Sequence, residues 1–72
     1  MVEIGWAIKQ IQNGDKVTRE GWNGKGQFLV LQVPDKNSEM TLPYIYITTV
    51  QGDRVPWLAS QTDILATDWK LA

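Results

Sequence analysis

Apolar positions near the start of the chain recur at helical spacing. Ile4, Ala7, Ile8 and Ile11 fall at i, i+3, i+4 and i+7, one narrow stripe that predicts an amphipathic helix. Asn13-Gly14 ends it, because Gly14 takes the left-handed conformation past a helix terminus without steric cost. Trp6 lies on the far side of that helix from the stripe, among Lys9, Gln10 and Asn13. It is there either as a surface residue lying along its own helix or as a contact to another subunit or a ligand. From Lys16 onward the period changes to two. Residues 16–20 predict a short strand, residues 28–33 a second and residues 44–50 a third. Residues 34–38 form a turn cluster, and Gln51-Gly52-Asp53-Arg54 suits a tight hairpin turn. Val55-Pro56-Trp57 is extended, because the residue before a proline avoids the helical region. Ser60-Gln61-Thr62-Asp63 predicts a capping box, with Ser60 as N-cap and Asp63 reaching back from the third helical position. The short helix it opens runs through Leu65 or Ala66, and residues 68–71 close the chain as a last strand. The order predicts a single α+β domain over residues 1–72: an N-terminal amphipathic helix packed on a mostly antiparallel sheet of four to five strands.

The strand pattern leaves a surplus. Phe28, Val30 and Gln32 face one way and Leu29, Leu31 and Val33 the other, while Tyr44 and Tyr46 oppose Ile45 and Ile47. Both sheet faces are substantially apolar, yet one helix covers only one of them. The bare face is expected to pack on another copy of the chain. Length points the same way. A chain of 72 residues buries only about 60% of its unfolded surface. A compact fold of that size has a radius of gyration of about 11 Å, too small to wrap a large guest alone. A homo-oligomer is therefore expected.

Composition narrows the chemistry. The absence of cysteine removes disulfides and thiolate metal ligands, and the absence of histidine removes the commonest general base and most zinc sites. Neither a metal, a cofactor nor an enzymatic activity is expected. Seven basic and eight acidic residues leave a net charge of −1, which argues against DNA or RNA as a partner. The longest apolar runs are far short of a membrane span, and no signal-peptide pattern opens the chain.

Two segments could carry recognition. In Arg19-Glu20-Gly21-Trp22-Asn23-Gly24-Lys25-Gly26, three glycines allow close backbone approach. Arg19 and Lys25 bring positive charge, and Trp22 offers a flat face to a base. The same segment reads equally as a wide hairpin connection with Trp22 plugging the core. In Val55-Pro56-Trp57-Leu58-Ala59-Ser60-Gln61-Thr62-Asp63, a helix start with hydroxyls suits an anion and Trp57 suits an aromatic ring. The alternative is a capped turn with Trp57 buried. Trp69 alternates with Asp68 and Lys70 and is expected in the core. A catalytic pairing of Asp63 with Asp68 has nothing to fix its spacing.

Taken together, the run from Lys16 to Gly26 followed by Phe28-Leu29, then Pro56 to Ala66 and Asp68-Trp69, resembles a phage-associated family of Thoeris anti-defence sponges. The resemblance extends over nearly the whole chain, including the helix that ends at Asn13-Gly14. It departs in a shorter stretch between Val33 and Val55 and in a tryptophan at position 6. The resemblance implies a small α+β protein that assembles as a tetramer. Such a protein binds, without cleaving, a cyclic ADP-ribose isomer made by a TIR-domain enzyme, and so keeps the Thoeris effector switched off. It also implies an alternative guest, the cyclic di- or trinucleotides of the CBASS defence system, held instead or in a separate pocket. An inhibitor module that binds a host protein is a further alternative. The site of action implied is the cytoplasm of the infected bacterium. Under this reading Trp22 or Trp57 stacks the base, and Arg19, Lys25 or Arg54 neutralises the phosphates. Asn23, Gln61 and Asp63 meet base edges and ribose hydroxyls, and Ser60 and Thr62 offer hydroxyl donors.

Overall fold

The computed structural model describes residues 2–72. Helix α1 (Ile4–Gln12) is followed by β1 (Val17–Arg19), β2 (Phe28–Gln32), β3 (Tyr44–Thr48), β4 (Arg54–Pro56), the single-turn helix α2 (Gln61–Ile64) and β5 (Trp69–Leu71). The strands form one sheet in the order β4-β3-β2-β1-β5, and every neighbouring pair is antiparallel. The predicted α+β architecture is therefore the observed one. Gly14 closes α1 with φ of 95°, donating to the Ile11 carbonyl at 3.0 Å, while Asp15 N–H reaches back to Gln10. Pro56 sits where a sheet tolerates it, on the edge strand β4.

Register sorts the side chains. Val17 pairs with Leu29 and Leu71, Leu29 with Ile47, and Ile47 with Val55, so these residues share the face that carries α1. Val30, Tyr46 and Pro56 pair across the opposite face, as do Gln32 and Tyr44. The core is small: Ala7 and Ile11 from the helix meet Val17, Leu29 and Trp69 from the sheet. Trp6 departs from expectation. It is half-buried and packs against this core, because an indole is large enough to reach the sheet from the flank of its helix.

The chain must then travel from β4 at one edge to β5 at the other. Four inter-strand spacings amount to about 19 Å, and the segment from Trp57 to Asp68 spans them. The crossing runs on the α1 side, since Trp57 and Ala66 pack against the core there. One face is thus roofed by α1 and the α2 crossing, while Phe28, Val30, Tyr44 and Tyr46 on the other stay partly exposed. The radius of gyration is 12.2 Å and the extents are 38 × 26 × 20 Å.

Candidate functional site

The two tryptophan-bearing segments lie some forty residues apart in sequence, and one arginine brings them together. Arg19 leaves β1 on the α1 side and enters a pair of carboxylates. Its Nε donates to Asp68 Oδ1 at 2.7 Å, its Nη2 to Asp68 Oδ2 at 3.4 Å and its Nη1 to Asp63 Oδ1 at 2.7 Å. The rigid fork of a guanidinium can serve two acceptors in this way, which a lysine ammonium cannot. The side chains of Arg19 and Asp63 are only 14% and 15% exposed, so water competes weakly for these bonds.

Both carboxylates also hold the glycine loop. Gly21 N–H donates to Asp68 Oδ2 at 2.7 Å, and Trp22 Nε1 donates to Asp63 Oδ1 at 3.0 Å. A β-carbon at position 21 would lie 2.7 Å from the Asp68 oxygen, so only glycine lets the backbone approach so closely. Ser60 caps α2 as predicted, its hydroxyl accepting from Asp63 N–H at 3.1 Å. The reciprocal half of the capping box is replaced: the Asp63 carboxylate turns to Arg19 and Trp22. The pKa shifts follow from these contacts. Partial burial works against the Asp63 charge, but the Trp22 N–H and the Arg19 guanidinium outweigh it and hold its pKa below the usual carboxylate value. Asp68 is lowered chiefly by its hydrogen bond from Arg19, against partial desolvation. Arg19 is raised by Asp68 and then Asp63.

The indoles stack behind this network. Trp69 is 2% exposed and donates from Nε1 to the Asp63 carbonyl at 3.2 Å, so its place in the core is as expected. Trp22 meets it edge-on at 5.5 Å with an interplanar angle of 79°, and Trp57 meets it at 6.1 Å and 86°. Trp22 and Trp57 are both half-buried against the core, as the packing reading of each segment expects.

Two recesses flank the corner. An open cleft of about 360 Å³ is lined by Trp22, Gly24, Lys25, Phe28 and Lys70, among others, with Arg19 at its border. Lys70, which sequence reasoning passes over, arrives from β5 and pairs with Glu20. Register places Lys70 beside Thr18, the only signal that could have found it. On the other side, Gln61 and Thr62 line a shallow depression with Arg19 and Asp68. Asn23 and Lys25 are exposed on the loop, and Ser60 is exposed at the helix start. Arg54 does not join them. It lies on β4, at the opposite edge of the sheet, 5.8 Å over the Tyr46 ring in a cleft of about 440 Å³ that also includes Tyr44 and Gln32. Asp63 and Asp68, which nothing in the sequence fixes relative to one another, are brought together here by one shared arginine.

Fold and corner define a small α+β module in which the Trp22 loop is pinned to the Asp63 end of the crossing segment, beside β5. Across residues 2–72 the chain matches the family model described as the Thoeris anti-defense 2-like domain, and it belongs to that Tad2-like family. It is 32% identical to the protein named Thoeris anti-defense 2 of Bacillus phage SP01, over 97% of this chain and 93% of the relative. Among the described residues no helix is long and apolar enough to cross a membrane.

Proposed function

We propose that this protein counters Thoeris defence as a sponge: it binds a cyclic ADP-ribose isomer without cleaving it and withholds it from the effector. The observation that carries the reading is the convergence of the Trp22 loop and the Trp57–Asp63 segment on one corner, joined by the 3.0 Å bond from Trp22 to Asp63. An isomer of cyclic ADP-ribose carries an adenine, two riboses and a pyrophosphate. The corner offers Trp22 indole surface for the base, Lys25 and Lys70 beside glycine backbone for the phosphates, and Gln61 and Thr62 for the hydroxyls and base edges, with Asn23 exposed on the adjoining loop. A chain without histidine or cysteine suits retention better than turnover. A guest of this size outgrows an open cleft of about 360 Å³, and the bare apolar sheet face supplies the means of closing it by assembly, with a tetramer implied by the resemblance. The compartment that follows is the cytoplasm of the infected host, where the signal is made.

The test is depletion and release. The purified protein is incubated with cyclic ADP-ribose isomers, separated from free nucleotide, heated, and the released material weighed by mass spectrometry. Recovery of an intact isomer is the expected result. Failure to deplete any isomer, or release of a linear product, overturns the reading. Trp22→Ala and Trp57→Ala each weaken binding by about 1–3 kcal/mol, the size of a base–indole stack. A second reading is favoured by the separate Arg54–Tyr46 cleft at the far edge, which suits a cyclic di- or trinucleotide as a further or alternative guest. The same assay with those nucleotides, run on Arg54→Gln, separates the two.

A further inference from the structure

The geometry points to Arg19 and Asp63 as positioning residues that preset the Trp22 indole, rather than as ligand contacts. The inference rests on the reading of the corner as a nucleotide site. Arg19 already donates from Nε, Nη1 and Nη2 to carboxylate oxygens, and Asp63 Oδ1 already accepts from both Arg19 and Trp22. One guanidinium against two carboxylates leaves the trio net negative, so as a unit it does not attract a pyrophosphate. What the trio does is fix a plane. Trp22 is held by its N–H on Asp63, by its edge against Trp69 at 5.5 Å, and by its backbone N–H on the Arg19 carbonyl at 3.3 Å. Arg19 in turn stops Asp63 from swinging away, because Asp68 anchors the other prong of the fork. An indole oriented before the guest arrives loses little freedom on binding.

Charge and position make opposite predictions, which separates them. Asp63→Ala removes a negative charge beside an anionic guest, so electrostatics alone tightens binding, whereas loss of the Oδ1 acceptor that anchors Trp22 weakens it. Arg19→Lys keeps the charge but not the fork.

The experiment follows the four indole N–H signals of ¹⁵N-labelled protein without ligand, with Trp22 assigned by its absence in Trp22→Phe. In the unaltered protein the Trp22 N–H exchanges more slowly than those of Trp6 and Trp57, which find no acceptor among the described residues. In Asp63→Ala and Arg19→Gln the Trp22 signal moves and its exchange quickens by about tenfold, the scale of one lost hydrogen bond. The Trp69 signal holds, because its acceptor is the Asp63 backbone. Affinity for the cyclic ADP-ribose isomers falls about tenfold in Asp63→Ala and Arg19→Lys alike, within the range a displaced stack allows. Unchanged or tighter binding by Asp63→Ala overturns the inference, as does wild-type affinity in Arg19→Lys. If Asp63→Ala does not fold, the unaltered protein still decides, since a Trp22 N–H exchanging as fast as that of Trp57 is enough to refute it. If the unaltered protein binds no isomer, the nucleotide reading fails, while the ligand-free signals test the anchor on their own.

Discussion

Trp69 is the largest side chain that the fold encloses, and replacing it measures how thin the core is. A domain of this length has a total stability of about 4–11 kcal/mol at 0.05–0.15 kcal/mol per residue. Trp69→Ala removes a buried indole at about 3–5 kcal/mol, together with two edge-to-face partners. That consumes most of the margin, so the alanine variant is largely unfolded. Trp69→Phe is the more informative change. It keeps a ring between Trp22 and Trp57 but strips the N–H from the Asp63 carbonyl, about 1 kcal/mol, and leaves a small void of similar cost. With an unfolding entropy near 2.1 cal/mol/K per residue, about 2 kcal/mol lowers Tm by roughly 13 °C. Thermal melts followed by circular dichroism at one fixed protein concentration read this directly, since any assembly makes Tm depend on concentration. A phenylalanine variant melting within about 3 °C of the parent refutes the view that Trp69 and its bond to Asp63 are central to the core.

Acid tests the carboxylates. Asp63 and Asp68 are depressed in the folded protein, so their stabilising contribution is complete above the unfolded carboxylate value of about 3.9 and drains away as pH falls through the lower folded values. Denaturant midpoints stay level from pH 7 to about 5 and then drop, and Asp68→Asn flattens that drop; a parent equally stable at pH 7 and pH 3 contradicts the pairing. Gly21→Ala pushes its new methyl into the Asp68 carboxylate, so it costs about 1–3 kcal/mol in stability and loosens the Trp22 loop, as urea unfolding and limited proteolysis will show. Trp6→Ala lowers stability by about 1–3 kcal/mol, the cost of a half-buried indole, and leaves nucleotide affinity nearly unchanged; calorimetry beside light scattering checks both.

The local elements were legible in the residues because each has a local cause. The stripe of Ile4, Ala7 and Ile11 with Gly14 behind it produces α1, and alternation around Leu29–Leu31 and Ile45–Ile47 produces β2 and β3 in the faces expected. Ser60 announces α2, and Trp69 goes inside as its alternation requires. What local pattern cannot carry is pairing at a distance. Arg19 finds partners 44 and 49 residues away, so a residue that by itself suggests a phosphate contact is spent on carboxylates. Asp63 has a local role as a cap, and that role concealed the distant one. Charge alone offers Arg54 as a phosphate partner beside Arg19 and Lys25, while strand order sends it to the other edge.

β1 and β2 keep register at a single pair, Val17 with Leu29, before the chain leaves for the glycine loop. The sheet is therefore two ribbons joined by a narrow seam, β5-β1 and the β2-β3-β4 meander, with α1 lying across both on one face. Such a seam is the natural place for the molecule to breathe. On the sponge reading, a guest lodged against Trp22 and Phe28 would span the β1–β2 loop and β2 as a rivet, and its arrival would slow amide exchange in β3, a strand that lies outside that cleft.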